Sequence, residues 1–440
     1  MKLEFQEYRA RRIVNVHKHV DGPWFWGKYT AHPYVGCRSG CEFCYLRGGR
    51  YLGGVPSNSA TSQRKDDLRS PGSRSDPFPY EGKRSGSFPY EGKRPYEGKR
   101  GGSFATLIRV KTNAADLLRT ELSRLGHEVI ACGDWQQPAE DRYRLSRAML
   151  EVVHELGFPL FIVERSPLLT RDLDVLVEIN RRTWVGVTFS ISSVDPVLKQ
   201  AFEPRSPGVK RRLQAMAELA GAGIQVGTAL MPVLPFVGDD EAHLEEVVRA
   251  TRDHGGSFVL GGGLTMRGVQ ARRTLEAARR LDPALEAQWR QMYNWEVGGE
   301  PSYSPPRAYS ARLGLMIREL CVRHDLTDHM PRYVAPGPLA VNKRIAERLF
   351  LKTYDLELEG AKEYRIWAYR KAAWTVDEWP TSIGEVYQGR GQAGLQELPG
   401  IGESLAGTIA SWLDEQKTQK TRHHPTEGRR QTIAPVMETQ

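Results

Sequence analysis

The sequence predicts an α/β fold followed by a small all-α unit, and three observations carry that reading. Between residues 104 and 262, apolar runs of strand length alternate with amphipathic stretches of helix length. A further strand fits just ahead of Cys37, completing six strand-then-helix units. A Pro-rich break, PRYVAPGP at 331–338, then separates this region from a helical stretch at about 340–416.

Strands are expected at 128–132 (EVIAC), 159–164 (PLFIVE), 184–191 (WVGVTFSI), 224–231 (IQVGTALM) and 257–261 (SFVLG). Their β-branched and aromatic content suits a buried pleated surface. Helices fit between them at 114–125, 142–156, 170–179, 208–222 and 241–254. Strand, helix, strand in steady alternation is the pattern of a parallel sheet covered by helices, either doubly wound or closed toward a barrel. In both cases chemistry belongs at the carboxyl ends of the strands, and Cys37 falls just past one of them. Residues 264–330 read as mostly helical.

The chain has 440 residues, 40% hydrophobic and 26% charged, enough for a substantial core and more than one domain. No apolar run approaches the roughly 18 residues needed to cross a bilayer, so a membrane-spanning protein is not expected. The opening MKLEFQEYRARR lacks the pattern of a secretory signal, and a cytoplasmic location is expected. The formal charge is +9, but residues 57–103 hold 10 Lys/Arg against 6 Asp/Glu and residues 417–440 hold 5 against 2. The remainder is nearly balanced, so the charge is not a nucleic-acid footprint spread over the whole protein. The near-repeat DPFPYEGKR, GSFPYEGKR, PYEGKR within 70–102 has almost no aliphatic residues to bury. Residues 57–103 are therefore expected to be a disordered insert in a first domain of residues 1–335, and 417–440 a disordered tail.

Five cysteines are too few for a disulfide framework, yet Cys37, Cys41 and Cys44 fall within eight residues as C-x3-C-x2-C. Gly36, Gly40, Gly48 and Gly49 let the loop turn tightly around a bulky ligand. Thiolates select iron–sulfur clusters, zinc or copper(I). A structural zinc site is closed by four ligands, and no second Cys/His pair follows here. Three thiolates on a four-iron cluster leave one iron open for chemistry.

The spacing, with the aromatic Phe43 just before the third cysteine, resembles the signature of the radical S-adenosylmethionine (SAM) superfamily. Further segments, NAADLLRTEL (113–122), DWQQPAED (134–141), SPLLTRDLDVL (166–176), FEPRSPGVKRRLQAM (202–216) and GIQVGTALMPVLP (223–235), are similar in order to the spore photoproduct lyase or DNA repair photolyase branch. The resemblance implies a partial (β/α)6 TIM-like barrel with a [4Fe-4S] cluster at its mouth, held by Cys37, Cys41 and Cys44. SAM would bind the open iron and be cleaved reductively to a 5′-deoxyadenosyl radical, with an electron donor such as flavodoxin or ferredoxin.

Position by position, the resemblance places Phe43 and Tyr45 beside SAM. It places Gly133 and Asp134 of ACGD where the family contacts the amino group, and Arg165 where relatives carry a basic residue. Ser190 and Ser192 end the fourth strand, and Arg205 suits a carboxylate because its planar fork matches that group. The serines also suit turn caps, and Arg205 a surface ion pair. The lyase returns a hydrogen atom from a cysteine on the equivalent strand, so Cys132 is a candidate donor, although its register is one residue off and a buried inert thiol is the alternative. Cys321 reads as core.

ELPGIGESLAGTIASWL (397–413) reads as helix, tight turn, helix, with Leu405, Ile409 and Leu413 on one face. With AKEYRIWAYRKAAW (361–374) upstream, residues 340–416 resemble the helix-hairpin-helix N-terminal domain of family X DNA polymerases. Gly400 and Gly402 would let backbone N–H groups approach a phosphate, and Arg365, Arg370 and Lys371 would supply local charge. Residues 338–416 hold 9 Lys/Arg against 12 Asp/Glu, so DNA affinity is expected to be modest. No lysine lies between Leu398 and Gln416, and the polymerases' sugar-phosphate cleavage is not expected.

Together these features predict a lyase-like radical SAM enzyme acting on DNA, in repair or base modification. The alternatives are radical modification of RNA or a peptide, and a non-catalytic iron–sulfur redox sensor that binds DNA.

Overall fold

A computed structural model of the chain describes residues 3–20, 22–48, 105–296 and 299–422, with side chains described as far as residue 416. The insert expected at 57–103 lies outside the described residues. So does the tail beyond 422, while residues 417–422 continue the last helix. Residues Met1–Tyr333 with Thr353–Glu363 form one compact unit, and Val334–Lys352 with the chain from Tyr364 onward form another.

Among the described residues the first unit contains ten strands: β1 (Glu4–Tyr8), β2 (Val14–Val16), β3 (Tyr29–Ala31), β4 (Tyr34–Val35), β5 (Leu107–Lys111), β6 (Ile130–Gly133), β7 (Leu160–Glu164), β8 (Val185–Ser190), β9 (Gln225–Val233) and β10 (Phe258–Gly263). Seven of them make the main sheet in the order β10-β9-β8-β7-β6-β3-β2. All of its pairings are parallel except β2 with β3. From β3 to β10 the six parallel strands lie side by side in chain order. A doubly wound sheet would reverse its order at a switch point, so this sheet is singly wound, as in a partial (β/α)6 barrel. Helices Ala114–Leu122, Leu145–Leu156, Leu173–Arg182, Val209–Gly221, Glu241–Asp253 and Gly268–Leu281 follow the six strands in turn.

Alternation along the strands assigns the two faces. Ile130, Cys132, Leu160, Ile162, Val185, Val187, Phe189, Val226 and Leu230 belong to the core that includes Met149, Leu176, Met216 and Val247 from the helices. The intervening residues face the other way, toward the concave side. There Phe161 stacks with Phe25 at 5.8 Å and with Trp184 at 6.4 Å, and Trp184 stacks on Tyr333 at 5.7 Å. Glycines make room for these rings: a Cβ on Gly186 would lie 2.5 Å from the Trp184 ring, and one on Gly227 would lie 2.6 Å from the Phe258 ring and carbonyl.

A second, three-stranded sheet, β1-β5-β4, was not expected from the sequence. β1 is short, polar and mostly exposed, with no apolar run to announce it. Its pairing with β5 joins residues about a hundred positions apart in the chain, and β4 pairs antiparallel with β5.

The second unit is helical. Its elements include Glu363–Glu378, Ile383–Gln396 and Glu403–Arg422, with Gly391 (φ 60°) breaking the second of these. Ser382 caps a helix start, accepting the Glu385 N–H at 3.4 Å, and Asn342 ties that turn down through Thr381 and Ile383. Leu395, Leu398, Ile401, Ala406, Ile409 and Leu413 bury the hairpin's inner side.

Because Gly227 meets both a ring and a backbone carbonyl, Gly227→Ala is expected to lower stability by about 1–3 kcal/mol, the usual range for overpacking. Gly126→Ala, where nothing lies within 4 Å, is expected to change it by less than about 0.5 kcal/mol. Denaturant unfolding of both variants checks the pair.

Candidate functional site

The loop after β3 carries the three cysteines. β4 enters it, and Gly36 turns the chain at φ 102°, where a Cβ would sit 2.5 Å from the Leu107 carbonyl oxygen. Gly40 turns again at φ 54°, packed on Ala105 and beside the Arg205 guanidinium. Only glycine fits both turns without strain. The loop is then braced from below. The Glu42 N–H donates to the Phe202 carbonyl at 2.8 Å, Thr274 Oγ1 donates to the Glu42 carbonyl at 3.1 Å, and Gln270 Nε2 donates to the Phe43 carbonyl at 3.3 Å. The buried Glu42 carboxylate faces Arg47 at 3.4 Å and Arg273 at 3.2 Å, and Arg47 Nε donates to the Cys41 carbonyl at 2.6 Å. Sequence reasoning passed over Gln270 and the Glu42–Arg273 pair because their partners are distant in the chain, and it passed over Arg47, whose partners are five to seven residues away.

Cys37 and Cys41 are buried, Cys44 is half-buried, and none is in a disulfide. The Cys37 thiol donates to Asp134 Oδ1 at 3.5 Å and accepts from Gln137 Nε2 at 3.6 Å. Burial pushes all three thiols up in pKa, with Asp134 adding to the effect at Cys37, and the three act on one another electrostatically. Asp134 ends β6 in a left-handed conformation, φ 55°, which Asp tolerates better than most residues. Burial raises its pKa, opposed by Arg165 and by the Cys37 hydrogen bond.

Arg165, just past β7, lies 5.5 Å from the centre of the Phe43 ring and 3.5 Å from Glu203 Oε2. Burial works against its charge, but Cys41, Glu203, Asp134 and Cys44 more than offset that and raise its pKa. Behind it, the fully buried Arg212 donates to Glu203 Oε2 at 2.7 Å, Ser206 Oγ at 2.5 Å, and the Ser190 and Pro207 carbonyls at 2.6 and 2.8 Å. Sequence reasoning missed Glu203 and Arg212. The available signal was a cation on the apolar face of helix Val209–Gly221, in line with Met216 and Leu219.

The strand ends thus gather Cys37, Cys41, Cys44, Phe43, Asp134, Arg165 and Arg205 around one loop. Ser190 and Ser192 are buried at the end of β8, and Ser192 Oγ donates to the Met231 carbonyl at 3.4 Å. Gly133 packs closely on β7, its Cβ position 2.9 Å from the Val163 carbonyl oxygen. Tyr45 follows the third cysteine and is 70% exposed. His32, also missed, ends β3 with Nδ1 3.1 Å from the Gly133 carbonyl; burial pushes its pKa down to about 4, with Lys111 adding to the shift.

Cys132 stands apart from this group. It is 4% exposed and lies on the helix-facing side of β6 with Ile130, whereas Ala131 and Gly133 face the concave side. The one-residue register difference turns its thiol into the core, which corrects the expectation of a hydrogen-atom donor. Cys321 is core as expected.

In the helical unit, Gly400 (φ 76°) and Gly402 are exposed with nothing within 4 Å of their Cβ positions, and helix Glu403–Arg422 starts directly after them. Arg365 and Lys371 are exposed. Arg370 is only 8% exposed and lies 5.1 Å over the Trp367 ring, so it packs the domain instead of offering a surface charge, a second correction.

The donor set suits a soft, multi-atom group. Among the described residues no group of three or more His, Cys, Asp or Glu side chains is placed to hold a metal ion. Two buried polar atoms, Arg165 Nε just past β7 and Thr188 Oγ1 within β8, have no hydrogen-bond partner.

Over 234 residues the chain is 31% identical to the uncharacterized protein Rv2578c of Mycobacterium tuberculosis, covering 52% of this chain and 67% of that protein. The chain belongs to the Rv2578c family. Residues 341–418 match the helix-hairpin-helix domain family. Spore photoproduct lyase and other radical SAM enzymes, the group that the cysteine motif resembles, are structural neighbours. The lyase complexed with dinucleoside spore photoproduct aligns with a TM-score of 0.46 at 15% identity, over 74% of this chain and 82% of that one. Methylornithine synthase aligns with a TM-score of 0.34 at 13% identity, over 70% and 73%. No helix among the described residues is long and apolar enough to cross a membrane.

A histidine with a depressed folded pKa binds fewer protons folded than unfolded, so its contribution to stability is lost as pH falls from about 6.5 toward about 4. His32→Gln is therefore expected to flatten the acid side of the stability profile in that window and leave the profile near pH 8 parallel to the wild type. Unfolding midpoints measured across pH check it.

Proposed function

We propose that the chain is a radical SAM enzyme acting on nucleic acid, with DNA the favoured substrate. The observation that carries the enzymatic half is the loop Gly36–Cys44. Two buried thiols and a half-buried one there act on one another electrostatically, with Arg165 against Phe43 and Arg205 beside Gly40. In this reading Cys37, Cys41 and Cys44 hold a [4Fe-4S] cluster that keeps one iron for SAM. When bound, the pair supplies a 5′-deoxyadenosyl radical by one-electron reduction and carbon–sulfur cleavage, the electron coming from a flavodoxin- or ferredoxin-like donor.

The protein's share is positioning and exclusion. Phe43 walls the site with an apolar ring, the Gly133–Asp134 turn offers a carbonyl and a carboxylate to an amino group, and Arg205 offers a planar fork to a carboxylate. Ser190 and Ser192, on the concave face, offer hydroxyls to a ribose. The buried surroundings of Cys41 and Phe43, which include Phe202, Leu264 and Trp289, keep water from a reactive centre.

The helix-hairpin-helix domain supports the choice of nucleic acid. Gly400 and Gly402 leave the backbone open ahead of a helix start, the arrangement that takes up a phosphate without reading sequence. Arg365 and Lys371 add exposed positive charge. A base presented to a rim of this kind would have to leave the helical stack.

The test is anaerobic reconstitution with iron and sulfide, then turnover with dithionite, SAM and panels of damaged DNA or RNA. Wild type is expected to show brown iron–sulfur absorption and 5′-deoxyadenosine. Cys37→Ala, Cys41→Ala and Cys44→Ala are each expected to lose both, and Cys132→Ala to keep both. Stimulation by DNA over RNA supports the substrate assignment. Stimulation by RNA alone overturns it, and cluster without deoxyadenosine overturns the enzymatic reading.

A further inference from the structure

Behind the cysteine loop lie three charges, Arg165, Glu203 and Arg212, of which the buried Glu203 and Arg212 have no part in binding SAM or substrate in the reading above. Arg212 is fully buried and held by five hydrogen bonds, two of them to the Pro207 carbonyl, so it cannot swing. It fixes Glu203 Oε2 at 2.7 Å, and Ser206 Oγ donates to the same oxygen at 2.9 Å. That oxygen is also the one facing Arg165 Nε at 3.5 Å, and it leaves this nitrogen without a true hydrogen bond. Arg165 in turn lies against Phe43, the residue between Glu42 and Cys44, while the Glu42 N–H is bonded to the Phe202 carbonyl beside Glu203. One end of the relay is therefore anchored in helix Val209–Gly221 and the other rests on the cysteine loop.

Burying such charges is costly unless they are paired, and this set is paired unevenly: two cations share one carboxylate oxygen, so the three together carry one net positive charge. A further carboxylate, Asp134, approaches from the other side and accepts from the Cys37 thiol at 3.5 Å. Reduction of an iron–sulfur cluster adds one negative charge. In a site shielded from water a nearby cation stabilises the reduced state and a nearby anion opposes it, and protein charge is one of the levers that set such potentials.

We propose that the relay Arg212–Glu203–Arg165 sets the reduction potential of the cluster held by Cys37, Cys41 and Cys44. Arg165 supplies the positive charge that eases electron uptake, and Glu203, immobilised by Arg212, positions that charge and partly offsets it. The inference rests on the proposed cluster and adds a role for residues that do not ligate it. Glu203 and Arg212 are positioning residues, since they act on the cluster through Arg165.

The test is a redox titration with dithionite, in the absence of SAM, followed by the electron paramagnetic resonance signal of the reduced cluster. Wild type, Arg165→Gln, Arg165→Lys and Glu203→Gln are compared at matched iron content. Arg165→Gln is expected to shift the potential negative, Arg165→Lys to restore most of it, and Glu203→Gln, which keeps an oxygen for Arg212, to shift it positive. Opposite signs for removing the cation and the anion cannot come from general loosening of the fold. If Arg165→Gln does not take up a cluster, the sign of the Glu203→Gln shift decides alone. Potentials that coincide with wild type, or shifts of the same sign in Arg165→Gln and Glu203→Gln, overturn the relay while leaving the cluster in place. A wild-type chain that holds no iron–sulfur cluster overturns the reading on which the relay rests, and the relay with it.

Discussion

Six strands laid side by side in chain order wind in one direction, and their parallel pairing puts every strand's carboxyl end on the same rim. The site follows from this constraint. Asp134, Arg165, Ser190 and Ser192 are separated by up to 58 positions in the chain, yet each is the first or second residue past its strand, or the last residue of it. The cysteine loop reaches the same rim because it follows β3.

A loop of this kind also needs support, because three neighbouring thiols on flexible chain would not keep a geometry. The structure supplies it in two layers. Backbone hydrogen bonds from Glu42, Phe43 and Cys41 tie the loop to Phe202 and to side chains of Gln270, Thr274 and Arg47. Beneath them, Glu42 with its arginines and Glu203 with Arg165 and Arg212 place paired charges where unpaired ones would be costly. The second layer puts charge close to the Cys41 and Cys44 thiols, so part of the loop's scaffold also sets its electrostatics.

Much of this was legible in the sequence for a physical reason. Strands β6 to β10 are apolar runs bounded by turns, and their helices have strong apolar faces, so observed and expected bounds differ by only a few residues. The cysteines were legible because their spacing is local. What escaped was either polar or non-local: β1 pairs with a strand beyond the insert, Arg212 and Glu203 are charges that only tertiary packing can bury, and His32 is one residue among several on a loop. Facing was the subtler failure. Cys132 lies on the expected strand, but a single position decides between the rim and the helical core. Arg370 likewise sits on the expected helix with its charge turned inward over Trp367.

In the proposed site three thiols hold a cluster that leaves one iron without a protein ligand. Mössbauer spectroscopy of anaerobically reconstituted, iron-57-enriched protein, recorded with and without SAM, tests this most directly. A cubane spectrum in which one iron is distinct from the others, and in which only that iron responds to SAM, is the predicted result. A spectrum of equivalent irons that SAM leaves unchanged would contradict it.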